Sequence, residues 1–200
     1  MKTKQIFEAY NRQGERKFDT LRFCPRCGAR CDLISSGRQS RLECPRCSFI
    51  LYQNPSPGVV ALIVDDGMVL LGKRAKNVFL GGKWSLPGGF IELDEDFLSA
   101  AHREIAEETG LSIRIISVIG VVSNFLSPEL HTLVIVLLAE KTGGTLRPGD
   151  DMDRLEWFPL SGSYPPMAFE ADKHIIDRYH KTKMAGIPVD HRFASLWPSI

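Results

Sequence analysis

Three glutamates are the side chains most able to do chemistry together. Glu104, Glu107 and Glu108 stand at i, i+3 and i+4, so on an α-helix they share an arc of about 100°. Three carboxylates on one face repel one another unless a cation lies among them. Such an oxygen-rich set suits Mg²⁺ or Mn²⁺, hard cations that also bind phosphate. An acidic face turned to water is the competing account of the same spacing. A second group is sulfurous. All 5 cysteines lie between Cys24 and Cys47, and four of them form two pairs, Cys24-Pro25-Arg26-Cys27 and Cys44-Pro45-Arg46-Cys47. Two such pairs offer four thiolates to a tetrahedral Zn²⁺, and a fully sulfur-ligated ion has no open position, so it would be structural. Disulfides would require an oxidising compartment. Cys31 is left over and reads as a packed or surface thiol.

The glutamates need a helix and an approach to it. Leu86-Pro87-Gly88-Gly89-Phe90 supplies a glycine-bearing loop where backbone can come close to a ligand. Asp94 is placed to cap the helix, with Glu95 and Asp96 suited to its positive end. Leu98, Ala101 and Ile105 form an apolar stripe, and Gly110 can end the helix in a left-handed conformation. Arg103 lies one turn before Glu107 and can pair with it.

The rest of the chain alternates strands and turns. Ile6, Phe7 and Tyr10 suggest a short helix. Leu33-Ile34 and Arg41-Leu42 flank Ser35-Ser36-Gly37-Arg38 as a hairpin between the cysteine pairs. Asn54-Pro55-Ser56-Pro57-Gly58 reads as a stiff linker. Val59–Val64 and Met68–Leu71 surround Asp65-Asp66-Gly67, a β-hairpin pattern. Trp84–Leu86 reads as a short strand, Ile113–Val122 and Thr132–Ala139 as β-branched strands, Gly143-Gly144 as a turn and Leu155–Phe158 as a further strand. Phe169, Ile175, Ile176 and Tyr179 fit one face of a final helix. These elements imply an α/β fold behind a small cysteine module, divided as residues 1–56 and 57–200.

Composition sets outer bounds. With 44% hydrophobic residues the chain can bury a core. Its apolar run Leu133–Ala139 is too short to span a bilayer, and the first residues lack a signal-peptide pattern, so a cytoplasmic protein without a membrane partner is expected. The net charge of +1 is unevenly spread: residues 1–50 carry 11 Lys/Arg against 5 Asp/Glu. A basic first quarter could attract an anion or simply keep a small module soluble.

The stretch Gly89-(x5)-Glu95-(x7)-Arg103-Glu104-Ile105-Ala106-Glu107-Glu108-Thr109-Gly110-Leu111 resembles the Nudix box at every specified position. The resemblance extends over residues 57–180. It implies an α/β/α sandwich with a mixed sheet, and a hydrolase that opens the pyrophosphate of a nucleoside diphosphate linked to a further group X. It implies Mg²⁺ or Mn²⁺ on Glu104, Glu107 and Glu108 with the carbonyl of Gly88 or Gly89, here assigned to Gly89. The cation would neutralise phosphate oxygens and activate water. Arg103 would orient a glutamate, and Glu95 would anchor the loop to the helix. Asp150, Asp151, Asp153 and Glu156 are candidates for the general base, with Asp151 and Asp153 placed first. Arg74 and Lys73, then Lys83, could hold the diphosphate, and Phe90 and Phe125 could stack on a base. Trp84 and Trp157 are assigned to the core.

A zinc ribbon before a Nudix domain also occurs in the NADH pyrophosphatases, whose SQPWPFPxS-like segment is replaced here by Ser117-Val118-Ile119-Gly120-Val121-Val122-Ser123-Asn124-Phe125. Pro128 is a near match to a proline of ADP-ribose pyrophosphatases. The pattern is most similar to short zinc-ribbon Nudix proteins, implying ADP-ribose or FAD ahead of NADH. Many Nudix relatives are dimers, so the resemblance admits a homodimer; the tail Phe193–Ile200, with Trp197, fits an intermolecular contact or intramolecular packing equally. Nucleic acid is not the expected partner. The competing class is a zinc-ribbon nucleic-acid regulator whose Nudix-like domain senses a ligand.

Overall fold

The computed structural model describes residues 4–11, 22–36 and 39–190. Gly37, Arg38 and the tail Phe193–Ile200 lie outside the described residues. The elements in chain order are β1 (Ile6–Glu8), β2 (Asp32–Ser36), β3 (Gln39–Glu43), β4 (Ile50–Leu51), β5 (Ser56–Asp65), β6 (Met68–Arg74), β7 (Trp84–Ser85), α1 (Phe97–Thr109), β8 (Leu111–Phe125), β9 (His131–Gly144), β10 (Met152–Pro159), α2 (Glu170–Thr182) and β11 (Ile187–Pro188).

Two sheets result. Strands β2, β3 and β4 form a small antiparallel sheet between and beyond the cysteine pairs. The large sheet has the order β1-β8-β9-β5-β6-β10, with β11 on β8 and β7 on β6. It is mixed: β5 runs parallel to β9 and β1 parallel to β8, while β8–β9 and β6–β10 are antiparallel. Alternation along the strands divides the core into two layers. Val59, Ala61, Ile63, Leu137 and Ala139 face α1, packing on Ala100, Ala101 and Ile105. Leu62, Val136 and Leu138 face the other way, packing with Ala171, Ile175 and Ile176 of α2. The fold is an α/β/α sandwich. No helix among the described residues is long and apolar enough to cross a membrane.

Four local expectations are corrected. Residues Ile6–Glu8 form a strand, not a helix, with Phe7 buried and its neighbours exposed; pairing with β8 outweighs a weak local preference. Ser56-Pro57-Gly58 is strand rather than linker, in register with Thr132-Leu133-Val134 of β9. The other edge of β5 meets the loop 87–91 there, and the Pro57 carbonyl accepts from the Ile91 N–H, so the missing proline donor falls at the end of that ladder. Asp96, not Asp94, caps α1, accepting from Leu98 N at 2.8 Å and Ser99 N at 3.0 Å. Gly143-Gly144 continues β9 instead of turning, and Gly144 pairs with Leu111.

The loop before α1 is stitched to β5 like an irregular strand. Val59 N–H donates to Gly89 O and Ala61 N–H to Pro87 O, both at 2.9 Å. Gly88, at φ 140°, packs so closely that a Cβ would lie 2.2 Å from Val59 O. Gly88→Ala is therefore expected to lower stability by about 1–3 kcal/mol from backbone strain, seen as an earlier midpoint in thermal unfolding.

Candidate active site

A cleft of about 320 Å³ opens where this loop, α1, the start of α2 and the β8–β9 hairpin meet. Its polar end holds Gly88, Gly89, Glu104, Glu108, Asp150 and Asp151. Glu108 comes from the last turn of α1, which ends on Gly110 at φ 69°. Its side chain is buried, and Oε2 accepts from the Gly88 N–H at 2.8 Å. Burial raises its pKa well above the ordinary range, and the neighbouring Asp151 adds to that. Burial also raises the pKa of Glu104.

Arg103 gathers the unit from outside. Its guanidinium donates to Glu95 through both Nε and Nη2, to Glu104 Oε1 at 2.9 Å, to Glu107 Oε2 at 3.1 Å and to Phe90 O at 3.1 Å. Glu95 in turn accepts from the Glu92 N–H at 3.0 Å. One cation thus ties the loop to the helix and fixes one oxygen of Glu104. Glu107 shares Arg103 Nη1 with Glu104, but its side chain is 50% exposed and it does not line the cleft.

Several other candidates take unexpected places. The Gly89 carbonyl accepts from the Val59 N–H of β5 and the Gly88 N–H donates to Glu108, while the Gly89 backbone lies against Glu104, whose Oε1 would be 2.4 Å from a Cβ added there. Arg74 lines the cleft, but its Nη2 donates to Asp151 Oδ2 at 2.9 Å and its Nε to Phe79 O at 2.8 Å. It positions the 150–151 loop. Lys73, Lys83, Asp153 and Glu156 lie outside the cleft lining. Phe90 lines the cleft and is half-exposed, whereas Phe125 sits edge-on to His131 at 4.4 Å, leaving Asn124 and Leu126 to line it. Trp84 is buried against Phe158. Sequence reasoning missed Phe79, Phe169, Asn124 and Asp172, which the fold brings to the cleft from three separate elements and loops. Buried Asn124, bonded to buried Thr132 at 3.2 Å, follows the buried apolar residues Ile119 and Val122 at the end of β8. A polar side chain at that next inward position is the signal that could have found it.

The donor set fits a hard divalent cation. Four carboxylates, from Glu104, Glu108, Asp150 and Asp151, line one cleft, and crowding of this kind favours bound positive charge. The same crowding gives stability a definite pH dependence. Glu104, Glu108 and Asp172, the last pushed up to about 7 by burial, have folded pKa values above their unfolded ones. Their contribution is complete below the unfolded carboxylate range and is lost as pH rises through the folded values. Without added divalent cation, the unfolding midpoint should drop as pH rises from the ordinary carboxylate range toward about 7, and added cation should restore the share due to Glu104 and Glu108. A midpoint that rises over this window would contradict the burial of these groups.

The cysteines form a second centre. The Sγ atoms of Cys24, Cys27, Cys44 and Cys47 lie within 4.8 Å of one another. Cys24–Cys47 is 3.6 Å and Cys27–Cys44 is 3.5 Å, near the ~3.8 Å edge of a tetrahedron built on metal–sulfur bonds of about 2.3 Å. Both pairs sit on the same turn: Gly28 N–H bonds Cys24 O, and Ser48 N–H bonds Cys44 O, each at 2.9 Å. Gly28 and Ser48 both adopt positive φ. Cys31 stands outside this set.

Comparison with known proteins agrees with this geometry. The NUDIX domain profile matches residues 54–179. The chain is 41% identical over 128 residues to the ADP-ribose pyrophosphatase of Methanocaldococcus jannaschii, covering 64% of this chain and 75% of that one. It is 30% identical over 161 residues to the NAD-capped RNA hydrolase NudC of Pseudomonas aeruginosa, covering 79% of this chain but only 55% of that one. A crystal structure of a NUDIX hydrolase from Nitrosomonas europaea superposes with a TM-score of 0.69 at 29% identity, over 86% of this chain and 97% of that one. With its box helix, cleft acids and sandwich all in place, the chain belongs to the Nudix family, enzymes that hydrolyse pyrophosphate bonds.

Proposed function

We propose that this chain is a Mg²⁺- or Mn²⁺-dependent hydrolase that cleaves the pyrophosphate of a nucleoside diphosphate linked to a second group, with ADP-ribose first and FAD second. The observation that carries this reading is the meeting of Glu104, Glu108 and Gly88 with Asp150 and Asp151 in a cleft whose remaining wall is largely apolar. Glu104, Glu108 and the Gly88 carbonyl would hold the cation, with Glu107 joining from the rim. When bound, the cation supplies charge neutralisation for the phosphate oxygens. Asp151 is held through Oδ2 by Arg74, while its Oδ1 is buried without a hydrogen-bond partner. A carboxylate so held can take the proton of the attacking water, which makes Asp151 the general base. The apolar wall, with Phe90 and Phe169, holds the nucleoside and excludes water. Preference for ADP-ribose is supported by the identity to the Methanocaldococcus jannaschii enzyme.

Zn²⁺ is the ion proposed for the four cysteines. Thiolates at such a centre suit a reducing compartment, which supports a cytoplasmic location. A second reading, NAD-capped RNA or NADH, is favoured by one observation: the NudC alignment covers 79% of the chain and so reaches back into the cysteine module. That module exposes Arg22, Arg26, Arg30 and Arg46, a charge pattern suited to a phosphate backbone.

The test is hydrolysis with Mg²⁺ across ADP-ribose, FAD, NADH, NAD-capped RNA, diadenosine polyphosphates and coenzyme A. The expected result is AMP and ribose 5-phosphate from ADP-ribose with the highest kcat/KM of the set. Preference for NAD-capped RNA would establish the second reading, and turnover of none would overturn both.

A further inference from the structure

The mechanism above leaves one buried acid of the cleft without a task. Asp172, in the first turn of α2, is only 3% exposed and lines the cleft beside Phe169, Ala171 and Ile175. Its Oδ2 accepts from the Leu86 N–H at 3.0 Å. Its second carboxylate oxygen makes no hydrogen bond among the described residues, and Arg74 is the nearby cation whose charge acts on it. A buried carboxylate that uses one oxygen for the scaffold and leaves the other in a ligand cleft is costly unless a ligand completes it.

Its position relative to the acids is set by a short piece of chain. Glu108 is bonded to the amide of Gly88 and Asp172 to the amide of Leu86. These amides are two residues apart, a span of about 7 Å at most. Asp172 and Glu108 are thus held by neighbouring amides of one loop and line the same cleft, so a substrate opened beside Glu108 can present its adjoining sugar to Asp172. A carboxylate repels phosphate, so the group that meets it must carry a donor. On a nucleoside diphosphate sugar, the donors next to the pyrophosphate are ribose hydroxyls, and ADP-ribose carries a ribose on both sides. A hydroxyl both donates and accepts, so it suits the carboxyl group in either protonation state. Burial pushes the pKa of Asp172 up to about 7, where both states are populated.

We infer that Asp172 is a specificity-determining residue that hydrogen-bonds a ribose hydroxyl of the substrate through its free oxygen. The inference rests on the proposed function and deepens it. It is tested by steady-state kinetics of the full chain, Asp172→Asn and Asp172→Ala on ADP-ribose and on analogues deoxygenated at single positions of either ribose. At least one deoxy analogue should raise KM of the unaltered enzyme by about 10- to 100-fold. Asp172→Ala should raise KM for ADP-ribose by a similar factor, leave kcat within a few-fold, and no longer distinguish ADP-ribose from that analogue. Asp172→Asn, whose carbonyl can keep the Leu86 contact while its amide faces the hydroxyl, should recover part of the discrimination. Should Asp172→Ala lose kcat on every substrate alike while still discriminating against the analogue, the residue is purely structural and the inference falls. Indifference of the unaltered enzyme to every deoxy position overturns it too, with the proposed function intact. Failure to hydrolyse ADP-ribose at all overturns the proposed function and the inference with it.

Discussion

Glu108→Gln is expected to lower kcat by about 10²- to 10⁴-fold, the scale of losing one essential charged group in a reacting centre, while leaving the protein folded. Gln keeps an oxygen that can accept from the Gly88 N–H, so the loop–helix contact at 2.8 Å survives. What disappears is a negative charge in a buried site already shared with Asp151. Without added divalent cation the variant should unfold at the same temperature as the parent or higher, since a neutral amide relieves that repulsion. Divalent cation should then stabilise the parent more than the variant. Glu107→Gln, at a half-exposed position bonded to Arg103, should cost less. Kinetics and thermal unfolding with and without Mg²⁺ check all four statements. Parent-like turnover by Glu108→Gln would remove this residue from the metal site.

Cys44→Ser should empty the cysteine centre. Cys44 is fully buried, and its thiol is 3.5 Å from that of Cys27. The small sheet around it has little core of its own: of its strand residues with described side chains, only Leu42 is buried, and Leu33 beside it is 55% exposed. A sheet of that kind is held by its metal, whose binding free energy is also its folding free energy, about 10–16 kcal/mol in small zinc modules. The expected outcome is a fall in bound zinc from about one per chain toward none, as a structural four-thiolate site requires, with β2–β4 becoming open to protease and the large sheet still folding cooperatively. Metal analysis with limited proteolysis reads both. An unchanged zinc content would refute the four-cysteine assignment.

Spacing carried the box and the cysteines because each depends on a short local rule. Glu104 and Glu108 are one helical turn apart, Gly110 must take positive φ where the helix stops, and Asp66-Gly67 must turn the β5–β6 hairpin. The parts not legible depended on what meets across long stretches. Arg74 pairs with Asp151, 77 positions away, a contact that no local pattern announces. Asp172 meets Leu86 over 86 positions. Phe125 stands out in the sequence as an aromatic suited to stacking, yet strand parity brings its neighbour Asn124 to the cleft. That parity is reset by irregularities in the β8–β9 pairing, including the one between Val118 and Gly120. The Asp94 cap failed by two residues because Glu95, which would have joined the first turn, is instead held by Arg103.

Strand β1 precedes the cysteine module in the chain yet lies in the large sheet, with Ile6, Phe7 and Glu8 beside Ser123, Asn124 and Phe125. A shortened chain beginning at residue 54 would keep the whole NUDIX match and still be an incomplete fold. It would bare the backbone donors and acceptors of β8 at the end nearest the cleft and empty the socket of Phe7. Bared strand edges recruit other strands, so such a fragment should self-associate, and the cysteine module is better regarded as a loop between two strands of one sheet than as a detachable head.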